Sequence, residues 1–81
     1  MRSIEEITKA EFDALMGSAR IVAFAAKYEP HGLFYLLDGG KVIGIDNSTG
    51  RAWTEEFDTV EQCKRWLNGE NLETVKGGNA V

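Results

Sequence analysis

The sequence predicts a single α+β domain in which a helix, a four-stranded antiparallel β-meander and a second helix follow one another. Two observations favour this fold class. Apolar residues recur at helical spacing near both ends, and the middle of the chain alternates short β-forming runs with turn signals. The 81 residues suffice for one domain. We expect one face of the sheet to pack against both helices, which gives two layers.

The first helix is predicted to begin after Thr8. Thr8 and Glu11 have the spacing of a capping box, in which each side chain accepts a hydrogen bond from the other residue's backbone N–H. Apolar residues then recur on one helical face: Phe12, Leu15, Met16 and Ala19. Gly17 is expected to end the helix. Residues 3–6, which precede this helix, are compatible with an early capped turn.

Four strands are predicted over residues 20–28, 33–37, 41–46 and 51–57, all rich in β-branched and aromatic residues. The turns between them have recognisable chemistry. "EPHG" suits a type I turn, "DGGK" suits a tight hairpin because glycine supplies positive φ, and "NSTG" closes the next turn. Because these turns are short, strands that are neighbours in sequence are expected to pair.

The second helix is predicted to follow Asp58, with Asp58 as N-cap and Glu61 at the third helical position. Its buried stripe is formed by Val60, Cys63 and Leu67. Asn68-Gly69 is a typical helix end. We therefore expect the domain to cover residues 1–69, and residues 70–81 to form a partly disordered C-terminal extension.

No catalytic, cofactor-binding or metal site is predicted, and we expect a non-enzymatic protein. His31 is the only histidine and lies in a predicted turn, where a solvated side chain is typical. Cys63 is the only cysteine and lies on an apolar stripe, as expected of a small buried side chain. The sequence contains neither a signal-peptide pattern nor an apolar run of about 18 residues. We therefore expect a cytoplasmic protein without a membrane segment.

The net charge of −4 is concentrated in one window. Residues 46–61 contain five acids and one base, whereas acids and bases cancel elsewhere. One interpretation is structural, because Asp58 and Glu61 suit a helix start. The other is a surface for a basic protein partner, because Glu55 and Glu56 have no local role and at least one of them should face solvent. The negative charge argues against direct nucleic-acid binding.

The chain resembles the small phage-encoded anti-CRISPR proteins. The resemblance lies in the architecture of residues 8–69: a short helix, the meander "LFYLLDGGKVIGIDNSTGRAWTEEF", and the acid-started helix "FDTVEQCKRWLNGE". It implies an inhibitor that acts in the host cytoplasm on a host-defence protein such as a Cas effector. Some members of this family bind through acidic residues that occupy a nucleic-acid-binding surface.

The leading hypothesis is therefore a DNA-mimicking inhibitor, a monomer or homodimer, that occludes a basic surface of a protein partner. Four acids would supply the charge, and one of two aromatic residues would anchor the contact. The candidate residues are Tyr35, Asp46, Trp53, Glu55, Glu56 and Asp58. Two alternatives stay open: a structural or adaptor domain that self-associates through the edge of the strand at 20–28, and a small-ligand-binding module that uses the aromatic residues.

Overall fold

The computed structural model describes residues 3–22 and 25–77. This part of the chain forms an α+β single domain, which confirms the predicted class. Its elements are β1 (Ile4–Glu6), α1 (Lys9–Met16), β2 (Arg20–Val22), β3 (Ala25–Lys27), β4 (Gly32–Asp38), β5 (Lys41–Asn47), β6 (Trp53–Phe57), α2 (Val60–Leu67) and α3 (Leu72–Gly77).

The main sheet has four strands in the order β1-β4-β5-β6. β4, β5 and β6 pair antiparallel in sequence order, but β1 lies parallel to β4, so the prediction of a four-stranded antiparallel meander is wrong. The predicted first strand, residues 20–28, is not part of this sheet. It contains β2 and β3, which pair with each other as a separate two-stranded sheet. The main sheet is therefore mixed. The crossover connection that a parallel pair requires is provided by the chain between β1 and β4, which includes α1, β2 and β3.

The helices lie on opposite faces of the sheet, so the prediction that both pack on one face is wrong. One core cluster joins Leu33 and Val42 to Leu67 of α2. The other joins Phe34 and Ile45 to Leu15 of α1. β4 thus has apolar residues on both faces, and its continuous run "LFYLL" is typical of a strand that is covered on both sides.

The helix starts are specified by local hydrogen bonds. In α1 the Glu11 N–H donates to Thr8 Oγ1 at 3.1 Å, and the Thr8 N–H donates to Glu11 Oε1 at 2.9 Å, which confirms the capping box. In α2 the N-cap is Thr59, whose Oγ1 accepts from the Gln62 N–H at 3.1 Å. The prediction that Asp58 is the N-cap was wrong by one residue, because the threonine hydroxyl takes that role.

α3 lies within the segment that we expected to be a C-terminal extension. Its Val75 is 5% exposed and belongs to the same core cluster as Phe57 and Leu67. Residues 72–77 therefore cover part of the α2 side of the sheet. The expectation of disorder for residues 78–81 lies outside the described residues.

Candidate functional site

β6 is an edge strand of the main sheet. The strand order puts β6 at one edge and β1 at the other, with no further strand beside β6 in the described part of the chain. Its sequence is WTEEF, and Asp58 follows directly. We call the segment from Trp53 to Asp58 the β6 edge. It contains four of the six predicted partner-binding residues.

The strand register places most of the predicted residues on one face. Asp46 pairs with Trp53, and Gly44 pairs with both Tyr35 and Glu55. Directly opposed residues share a face, so Tyr35, Asp46, Trp53 and Glu55 all lie on the face that α2 and α3 cover. Glu56 lies on the α1 face. Trp53 is 59% exposed.

Two of the predicted residues already have roles within the chain. Tyr35 is half-buried, its ring lies 5.6 Å from Lys64 Nζ, and its hydroxyl donates to Glu6 Oε1 at 3.4 Å. Burial, with Glu6 beside it, raises the pKa of Tyr35. Asp46 Oδ1 accepts from the Ser48 N–H at 3.1 Å and from Ser48 Oγ at 2.7 Å, which forms the turn after β5.

Two lysines from distant parts of the sequence partly neutralise the β6 edge. Lys41 Nζ lies 2.5 Å from Asp58 Oδ1, and Lys76 Nζ lies 3.6 Å from Glu55 Oε1. The Lys41 hydrogen bond lowers the pKa of Asp58, and the same contact raises the pKa of Lys41. These two bases were not among the predicted site residues, because they come from β5 and α3, outside the acidic window in sequence. Since all four side chains are partly exposed, each pair contributes little to stability.

Two shallow depressions flank the β6 edge. One, of about 290 Å³, is lined by Phe12, Ile43, Thr54, Glu55 and Glu56. The other, of about 260 Å³, is lined by Lys41, Glu56, Phe57, Asp58, Gln62 and Lys76. Phe12 of α1 and Ile43 of β5 contribute apolar side chains to the first, whereas polar side chains line most of the second. Phe12 was predicted only as a core residue, and its position beside β6 follows from the placement of α1 on the opposite face.

Within residues 3–22 and 25–77, no group of three or more His, Cys, Asp or Glu side chains could hold a metal ion. None of the described helices has the length and apolarity to cross a membrane.

Cys63 is buried, as predicted, with 0% exposure. Burial raises the pKa of its thiol to about 11, against the opposing effect of Lys64. Since the thiolate is the reactive form, we expect the folded protein at pH 8 to react with DTNB far more slowly than the protein in urea. Equal rates in the two conditions would contradict the burial.

Substitutions at Cys63 give a second check of its apolar surroundings. Cys63→Ser is expected to lower the free energy of unfolding by about 1–3 kcal/mol, because the hydroxyl is buried without a good partner. Cys63→Ala should cost less, since it adds no polar group. Urea unfolding of the three proteins measures the order, and an alanine variant less stable than the serine variant would contradict it.

In comparisons with known proteins, no family model, no curated protein and no solved structure matches this chain.

Proposed function

We propose that this protein is a non-enzymatic inhibitor that binds a basic, nucleic-acid-binding surface of a host-defence protein, such as a Cas effector, in the host cytoplasm. The β6 edge is the binding surface. The observation that carries the proposal is the exposed Trp53, in an edge strand whose next residues include three acids.

Trp53 has the properties of an interface anchor. Among the described residues, it and Leu37 are the large hydrophobic side chains that remain exposed, at 59% and 60%. Tryptophan is enriched among the residues that contribute most to protein–protein binding, because it buries a large area with few rotatable bonds. Asp46 lies opposite Trp53 across the strand pair, so a partner that covers the ring also meets a carboxylate.

The charges of the β6 edge suit a cationic partner. Glu55, Glu56 and Asp58 lie within four consecutive positions. Lys41 and Lys76 contact two of them only through exposed ion pairs, and cations of a partner can replace such pairs at low cost. Acidic surfaces also accelerate encounter with basic ones, an effect that salt weakens.

The test compares two matched charge reversals. Glu55→Lys/Glu56→Lys changes the β6 edge. The β1 variant, Glu5→Lys/Glu29→Lys, changes two exposed glutamates away from it: Glu5 in β1, at the opposite edge of the sheet, and Glu29 next to Pro30, which lines the same depression as Glu5. Both bring the net charge from −4 to zero. Fluorescence anisotropy of labelled target DNA, on a panel of purified Cas effector–guide complexes, measures how much DNA each protein displaces.

We expect the wild type to displace DNA from at least one effector. The β6 variant should require a protein concentration at least about tenfold higher for the same displacement. The β1 variant should retain the wild-type potency. Absence of displacement from every effector would overturn the proposed target. Equal loss in both variants would show that total charge, and not the β6 edge, determines the inhibition.

A further inference from the structure

We infer that the β6 edge binds an extended, cationic segment of the partner as an added β-strand. This inference rests on the proposed function and specifies the chemistry of the partner: a lysine- or arginine-bearing strand that pairs with the backbone of β6. Three features support it, namely the direction of the backbone groups, the side chains on the two faces of β6, and the charge pattern along the edge.

The hairpin between β4 and β5 determines which backbone groups of β6 point outward. Its two loop residues, Gly39 and Gly40, have φ of 59° and 87°, so the turn is of the primed type and Asp38 and Lys41 are a hydrogen-bonded pair. Successive residues of a strand direct their backbone N–H and C=O groups to opposite sides. The backbone groups of Val42, Gly44 and Asp46 of β5 therefore point towards β6.

The residues of β6 opposite these three are Phe57, Glu55 and Trp53, and their backbone groups point towards β5. Thr54 and Glu56 therefore direct their N–H and C=O groups away from the sheet. A separate contact agrees with this assignment of inward- and outward-pointing backbone groups. The Ile7 N–H donates to the Tyr35 carbonyl at 2.8 Å, on the side of β4 away from β5. The outer edge of β6 thus presents two donors and two acceptors at strand spacing.

The two faces of β6 offer different contacts to an added strand. On the α2 and α3 face, Trp53 and Glu55 lie two residues apart and offer an aromatic ring and a carboxylate to a cation. On the α1 face, Thr54 and Glu56 line a depression together with the apolar side chains of Phe12 and Ile43. An added strand that alternates basic and apolar residues has all its basic side chains on one face. Whichever face of the sheet these side chains lie on, a cation is placed beside Glu55 or Glu56.

A second copy of this chain is a less favourable occupant of the edge than a cationic segment, because it brings the same acids. Antiparallel pairing of β6 with itself about Glu55 or about Glu56 would put two identical glutamates directly opposite each other, and like charges at that position are unfavourable, whereas the register about Thr54 avoids this contact. Nucleic acid is disfavoured by the same acids. A cationic extended protein segment satisfies both the outward-pointing backbone groups and the charge.

The experiment uses the whole protein and a synthetic peptide of alternating lysine and valine, roughly eight residues long, which covers one strand. Binding is measured by isothermal titration, and amide hydrogen exchange is followed by NMR. We expect slower exchange at the Thr54 and Glu56 amides in the presence of the peptide. The Glu55 and Phe57 amides, which point towards β5, should keep their rates. A peptide of alternating glutamate and valine is the charge control and should not bind.

A matched pair of variants tests the backbone contact. Thr54→Pro removes the outward N–H at a position where an edge strand tolerates proline, and Thr54→Val keeps the N–H with a similar side-chain shape. Loss of one hydrogen bond is expected to weaken peptide binding about tenfold in the proline variant only. Unchanged exchange at Thr54 and Glu56 in the wild type with saturating peptide would overturn strand addition without recourse to any variant.

The same variants separate this inference from the proposed function. DNA displacement by Thr54→Pro at wild-type potency would overturn strand addition, although the inhibitor function would remain. Peptide binding with the expected protection at Thr54 and Glu56, but no displacement from any effector, would support strand addition and overturn the proposed target.

Discussion

Replacing Asn47 with aspartate is expected to remove much of the stability of this domain. Asn47 is 0% exposed, and its side chain makes three hydrogen bonds. Nδ2 donates to the Tyr28 carbonyl at 3.1 Å and to the Pro30 carbonyl at 2.6 Å, and Oδ1 accepts from the Ala52 N–H at 2.9 Å. Aspartate keeps the acceptor but turns an oxygen towards two carbonyl oxygens.

The expected loss is several kcal/mol at neutral pH. Each buried polar group that loses its partner costs about 1–3 kcal/mol, and the new negative charge adds to this. Since small domains have a total free energy of unfolding of about 5–15 kcal/mol, Asn47→Asp should unfold at a much lower urea concentration than the wild type.

The loss of stability in Asn47→Asp should be smaller at low pH than at neutral pH. Burial and the facing carbonyls raise the folded-state pKa of the new carboxyl above its unfolded value of about 3.9. The protonated acid is therefore favoured by folding, so the variant is relatively more stable below about pH 4 and loses that stability as pH rises through the folded-state pKa.

Asn71→Asp is the control for Asn47→Asp. Asn71 is exposed and uses only its Oδ1, which accepts from the Glu73 N–H at 2.8 Å, so aspartate keeps the contact. We expect almost no loss of stability there. Asn47→Asp with a wild-type urea midpoint at pH 7 would contradict the buried hydrogen-bond arrangement.

Replacing Gly44 with valine is the second large expected effect, because the substitution would separate α2 from the sheet. A Cβ at Gly44 would lie 2.7 Å from Cys63 Sγ and 3.2 Å from a ring carbon of Trp66. Both contacts are shorter than van der Waals separation. Overpacking in a core costs about 1–3 kcal/mol and sometimes more, so Gly44→Ala should fall in this range and Gly44→Val should exceed it.

A double-mutant cycle tests which contact causes the loss. Cys63→Ala removes the Sγ that the new methyl group would meet, so Gly44→Ala/Cys63→Ala should be more stable than the sum of the two single losses by about 0.5–3 kcal/mol. Gly77→Ala is the control, since a Cβ there has no neighbour within 4 Å. Strict additivity in urea unfolding would contradict the close approach.

Several features of the fold followed from local sequence chemistry. The Thr8–Glu11 capping box and the Gly39-Gly40 hairpin are each specified by residues that lie within a few positions of one another. The burial of Cys63 followed from its place on the apolar stripe of α2. Propensity and periodicity are sufficient in such cases because the stabilising partner is also near in sequence.

The features that were not predicted depend on long-range contacts. β1 has three residues, too few to show any periodicity, and it becomes a strand only through pairing with β4. In the candidate site, Trp53 and its acidic neighbours could be named from the sequence, but the bases beside them could not. Lys41 precedes the site and Lys76 follows it in sequence, and both reach it only when β5 and α3 are packed.

The parallel pairing of β1 with β4 also has a consequence for the order of folding. β4, β5 and β6 are joined by short turns and pair with sequence neighbours, so their contacts require little loop closure. Ile4 pairs with Leu33, and this contact closes a loop that contains α1, β2 and β3. Because of the entropy cost of closing that loop, we expect β1 to be among the last elements to dock during folding and among the first to open from the native state.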